Sequence, residues 1–72
     1  MFLISPEDRD RVAQYEWVPD KLGYYRRKDN LAITLHRFIA GNAPEGFEID
    51  HINRNPGDDR RENLRWATRR AN

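Results

Sequence analysis

The sequence contains no cysteine, which excludes a disulfide framework and any structural zinc held by thiolates. A metal bound here must be held by oxygen and imidazole ligands. There is also no apolar run near the roughly 20 residues that a membrane-spanning helix needs. The opening Met1-Phe2-Leu3-Ile4 is too short, and too soon followed by acids, to read as a secretory signal. The expected setting is therefore intracellular and cytoplasmic, with no membrane partner. Length is scarce as well. Seventy-two residues allow a single domain, 1–72, with no second core and a modest stability margin.

Net charge is small too, at +1, but its distribution is uneven. Residues 1–50 carry seven basic and nine acidic side chains, and residues 51–72 carry six Arg against Asp58, Asp59 and Glu62. Eleven of the thirteen basic residues are Arg, the side chain that grips phosphate with a planar, bidentate fork. A basic, Arg-rich last third suits nucleic acid as a partner, and a salt-bridged surface accounts for the same composition.

Ser5-Pro6-Glu7-Asp8 opens a helix in sequence terms. Ser5 can cap, Pro6 fits the first position, and the acids face the positive end of the dipole. The pattern predicts a helix over 6–14 with Val12 inward. Strands are predicted over 15–18, 22–27 and 31–35. Leu35, Phe38 and Ile39 then fall on one helical face, which Gly41 or Asn42 ends. Residues 47–50 alternate as a strand, and Asn55-Pro56-Gly57-Asp58 has the composition of a type II turn. Residues 64–67 form a further strand, after which Thr68 can cap a helix starting at Arg69. Trp17 and Trp66 are expected as core anchors. The fold class is α+β.

The chemistry concentrates in Asp50-His51, Asn63 and Asn72. Hydrolysis of a phosphodiester needs a base to activate water, a Lewis acid to neutralise charge, and a group that aims the base. Histidine titrates near neutrality and suits the first task. Neighbours on a strand point to opposite faces, so Asp50 and His51 can serve different tasks. A carboxylate and an amide oxygen are hard donors, suited to Mg²⁺ or Mn²⁺.

The runs Leu35-His36-Arg37, Gly46-Phe47-Glu48-Ile49-Asp50-His51-Ile52-Asn53 and Asp58-Asp59-Arg60-Arg61-Glu62-Asn63-Leu64-Arg65-Trp66-Ala67-Thr68 resemble the HNH endonuclease family. The likeness is to its phage and homing-endonuclease branch, and with Ile4-Ser5-Pro6-Glu7-Asp8 and Trp17 it covers nearly the whole chain. It implies a ββα-metal core over 46–72, propped by a helix and short strands over 1–45. It implies His51 as general base, Asp50 and Asn72 as ligands of one divalent ion, Mg²⁺ before Mn²⁺ or another, and Asn63 as the residue that holds the loop and helps orient His51. The implied reaction is hydrolysis of DNA to 5′-phosphate and 3′-hydroxyl ends, one strand at a time and with low sequence specificity. A phage-encoded protein, or one of a bacterial cytoplasm, fits that branch. The rival reading is a non-catalytic DNA-binding or interaction module that keeps the HNH shape.

Arg37, Arg60, Arg61, Arg65, Arg69 and Arg70 are candidates for contact with the DNA backbone, with Arg65 and Arg69 preferred. His36 reads as a packing or locally hydrogen-bonded residue as readily as a site residue. No small-molecule organic cofactor is expected. Two departures from the family stand out. Relatives commonly read Asp-Asn-Arg where this chain has Asp58-Asp59-Arg60, a change expected to be tolerated on an exposed loop. Relatives also continue the helix beyond the position of Asn72, so a ligand there would sit on a terminal turn.

Overall fold

The computed structural model describes residues 1–70. Among these residues, three small sheets and two short helices surround one core, in an α+β arrangement. Strand β1 (Leu3–Ile4) leads into a 3-10 turn (Pro6–Asp8) and helix α1 (Arg9–Val12). An antiparallel three-stranded sheet follows, in the order β2 (Trp17–Pro19), β3 (Tyr25–Arg27), β4 (Asn30–Thr34). Helix α2 (Leu35–Ala40) crosses to β5 (Phe47–His51), which pairs antiparallel with β7 (Leu64–Thr68). Between these two lie β6 (Asp58–Asp59) and a second 3-10 turn (Arg61–Asn63). No helix among the described residues is long and apolar enough to cross a membrane.

The helical face read from 35–39 is the one that packs. Val12, Leu35 and Ile39 are buried, and Phe2, Ile4, Trp17, Tyr25, Phe38 and Leu64 pack against them. Tyr15, Trp17 and Phe38 meet edge to face, with Trp17 and Phe38 ring centroids 5.2 Å apart. The Trp17 indole N–H donates to the Val12 carbonyl at 2.9 Å. Helix α2 stops at Gly41, whose φ of +80° costs glycine little and other residues more.

Several local expectations change. The predicted helix over 6–14 is a 3-10 turn followed by a four-residue α-helix. Ser5 makes no side-chain cap; its hydroxyl instead accepts from the Arg61 backbone N–H at 2.9 Å. The turn at 55–58 closes through Asp58 N–H to Asn55 O at 3.0 Å, but Gly57 lacks the positive φ of a type II turn. Trp66 is 53% exposed rather than a core anchor, although it pairs with Ile49 on the ribbon face that it shares with His51 and Leu64. Arg69 and Arg70 form a turn after β7, and the rest of the helix expected from Arg69 lies outside the described residues.

The largest difference is at β6. Asp58 and Asp59, expected on an exposed loop, are buried at 1% and 0% exposure. The cause is long-range: β1 pairs parallel with β6, Leu3 beside Asp58 and Ile4 beside Asp59. The N-terminal strand thereby covers both acids. Asp8, also fully buried, receives Arg61 at 2.9 and 2.8 Å and Arg11 at 3.1 Å. These contacts bind the first and last parts of the chain together.

Candidate functional site

Strand β5 ends on His51, opposite Leu64 of β7, and Asp50 stands opposite Arg65. Strand alternation separates the two as anticipated. His51 points inward at 5% exposure, while the Asp50 side chain keeps 26%. The next residue stays tied to β7's entry, Ile52 N–H donating to Asn63 O at 2.9 Å.

The His51 ring is held by Asp59. Nε2 and the Asp59 Oδ1 are 2.6 Å apart and both side chains are buried. With the carboxylate ionised, Nε2 carries the proton and donates, leaving Nδ1 as the basic nitrogen. Burial pushes the Asp59 carboxyl above its ordinary value, against the pull of the His51 contact. Asp59 Oδ2 is buried without a hydrogen-bond partner among the described residues.

His36, near the start of α2, lies beside this pair. Its ring centroid is 5.3 Å from that of His51, and Tyr24 stacks near both, at 5.4 and 5.7 Å. His36 Nε2 is 3.4 Å from the Thr34 hydroxyl, whereas Nδ1 is buried and unpartnered among the described residues. Burial, reinforced by His51, Arg37 and Arg26, drives the His36 pKa down to about 4. One donor atom from each of His36, His51 and Asp59 can be chosen so that all lie within 4.8 Å of one another.

These rings line a cleft of about 700 Å³, which Arg26, Arg37, Arg54 and Arg65 also border, with Glu48 and Asp50. Such a cationic, open groove suits an extended polyanion better than a small molecule, which is mostly enclosed when bound. Arg54 has φ of +63°, an uncommon conformation for a non-glycine residue.

Of the residues singled out in sequence, Arg37, Asp50, His51 and Arg65 meet at this cleft. Asp50 is engaged by Arg65, whose Nε and Nη2 both reach Oδ2, at 3.0 and 2.9 Å. The Asp50 side chain keeps 26% exposure and lines the cleft, and a carboxylate is a donor of the hard kind that Mg²⁺ takes. The second expected ligand, Asn72, lies outside the described residues.

Asn63 is buried behind the cleft rather than in it. Its Oδ1 accepts from Asn53 N–H at 3.0 Å, and its Nδ2 donates to Asn53 Oδ1 at 3.0 Å and Asp58 O at 2.8 Å. It thus ties the 53–58 loop together, and its side chain makes no hydrogen bond to His51. Arg60 is bound by Asp58 at 2.8 and 2.7 Å, and Arg61 by Asp8. Arg69 and Arg70 are exposed beyond β7.

The sequence reading does not single out Asp59 or Arg54, and it leaves His36 open between packing and the site. The departure Asp58-Asp59-Arg60 was the available signal for Asp59. The segment reads as polar loop, and nothing local announces its burial by β1.

Residues 33–72 match the family described as HNH endonuclease. An uncharacterized HNH endonuclease of Acanthamoeba polyphaga mimivirus is 36% identical over 66 residues, covering 85% of this chain and 35% of that protein. The chain thus spans about a third of the length of this curated relative. No solved structure matches the chain.

Proposed function

The chain belongs to the HNH endonuclease family, and we propose from its site that it hydrolyses DNA phosphodiester bonds in a metal-dependent reaction, nicking one strand with little sequence preference. The observation that carries this reading is the buried His51–Asp59 hydrogen bond, 2.6 Å long, on a cleft bordered by four Arg. A base fixed in one tautomer beside a phosphate-binding surface is what in-line attack by water requires.

His51 takes a proton from the attacking water through the nitrogen that does not face Asp59. The water oxygen bonds to phosphorus as the bond to the 3′ oxygen breaks, which leaves 5′-phosphate and 3′-hydroxyl ends once that oxygen is protonated. Asp59 keeps the ring from turning and offsets the charge His51 acquires. Arg37 and Arg54 hold the flanking phosphates. Asp50 would hold the divalent ion together with Asn72, and the bound ion would supply the Lewis acid for the developing charge.

A second reading has its own observation. Arg65 occupies one oxygen of Asp50, which favours a module that holds DNA without cutting it. Incubation with supercoiled plasmid in Mg²⁺, Mn²⁺ or EDTA, beside His51→Ala, separates the two. Metal-dependent open circles that vanish in the variant are the expected result. Retardation of the plasmid with no nicking under any ion would leave only the binding module.

A further inference from the structure

We propose that His36, His51 and Asp59 form a second metal site, separate from the carboxylate at Asp50, that takes a borderline transition ion of the Zn²⁺ class and so removes His51 from service as a base. The binding stands on geometry alone; the loss of activity rests on the proposed role of His51.

The donor set comes first. Two imidazoles and one carboxylate are the ligands Zn²⁺ selects over Mg²⁺, which prefers oxygen. They come from α2, β5 and β6, with ligand atoms within 4.8 Å of one another. The second observation is independent of that grouping. Two buried donor atoms in the cluster, His36 Nδ1 and Asp59 Oδ2, have no partner among the described residues, although buried polar groups are nearly always satisfied. Asp59 is 0% exposed, so ordinary solvation cannot serve its second oxygen. An ion among these three side chains gives these donors a partner.

The hydrogen bond and the ion are alternatives. Zinc bonds of roughly 2.0–2.1 Å in tetrahedral geometry set neighbouring donors about 3.3 Å apart. His51 Nε2 and Asp59 Oδ1 are now at 2.6 Å, so binding opens them by several tenths of an ångström and releases the proton between them to solvent. A fourth position would remain for water from the cleft.

The test uses the metal-free protein. Zn²⁺ is added in increments while the imidazole C–H resonances are followed by NMR, a simple spectrum because the chain has two histidines. Both histidines should move together, saturating at one ion per chain, and Co²⁺ in place of Zn²⁺ should give a visible ligand-field band. His36→Gln and Asp59→Asn should each weaken Zn²⁺ binding by about a hundredfold or more, with circular dichroism reporting that each is folded. Asp50→Asn should leave Zn²⁺ binding intact. No shift, or a shift at one histidine alone, would overturn the site, and the wild-type titration decides this even if a variant fails to fold. Equimolar Zn²⁺ should also suppress Mg²⁺-dependent plasmid nicking. Zn²⁺ bound at both rings in a protein that never nicks would uphold the site and sink the nuclease reading. Nicking that persists with Zn²⁺ bound at both rings would overturn the claim that the ion disables His51.

Discussion

Asp59 Oδ1 lies 2.6 Å from His51 Nε2, and this carboxylate stands in a two-residue ladder with Ile4. The aim of the proposed base is therefore set by the first strand of the chain as well as by its own hairpin. A residue eight positions away along the sequence holds the ring, and residues at the N-terminus hold that residue.

Asp59→Ala should lower kcat for plasmid nicking by about a hundredfold or more, with little change in KM, since general-base catalysis is commonly worth 10²–10⁴. Asp59→Asn should recover only the part due to aiming, because an amide oxygen can still accept from Nε2–H but carries no charge to offset that gained by His51. A merely structural Asp59 would show the same loss of folded protein in both variants and no kcat-specific effect. Steady-state kinetics beside thermal melting decides between these outcomes.

Arg37 and Arg54 should each contribute one phosphate contact. Arg37→Gln and Arg54→Gln are expected to weaken plasmid retardation without regard to sequence and to reduce the slope of log affinity against log salt by about 1 each. Arg60→Gln should have less effect on DNA, because Asp58 already holds the Nε–Nη2 edge of that guanidinium in a bidentate pair. Equal effects at all three positions would place the DNA elsewhere.

Asp8 is a test of stability rather than chemistry. Asp8→Ala strips the partner from Arg61 and Arg11, both of which are half-exposed and can turn to water. The expected cost is about 1–3 kcal/mol by denaturant unfolding, a large share of the stability of so short a chain. A loss under about 0.5 kcal/mol, the range of ordinary surface changes, would mean that Asp8 does not tie the two ends together.

Acid should weaken the metal-free fold in two stages. His36 has its pKa lowered from 6.5 to about 4 by burial and neighbouring positive charge. The unfolded chain therefore binds a proton at His36 before the folded one does, so this stability is fully present above about pH 6.5 and is lost as pH falls toward 4. The shift corresponds to at most about 3 kcal/mol. Asp58, lowered to about 2 by Arg60, and Asp8, lowered by Arg61, add stability above their ordinary range that disappears as pH drops below about 4. Asp59, raised by burial, works in the opposite sense, because the folded state takes up its proton first. Thermal midpoints measured from pH 8 to pH 3 in EDTA should fall through the first window in wild type and stay nearly level there in His36→Gln. A flat wild-type profile would contradict the buried, neutral His36.

Local pattern made much of this protein legible in its sequence. The spacing of Leu35, Phe38 and Ile39 marks a helix face, and the alternation through Phe47–His51 marks a strand, because each periodicity is printed by neighbours in the chain. The residue types at Asp50, His51 and Asn63, with their neighbours, resembled the HNH endonuclease family, to which the chain belongs. Tertiary structure alone decided which atoms touch His51. A two-residue strand such as Asp58–Asp59 is too short to show a period, and two adjacent acids read as solvent-facing until Leu3–Ile4 pairs with them from the other end of the chain. The same holds for Asp8 and Arg61, 53 residues apart, and for Trp66, whose exposure depends on what covers the β5–β7 ribbon. Burial of a charged side chain is settled by such distant partners, since only they can offset the cost of removing it from water.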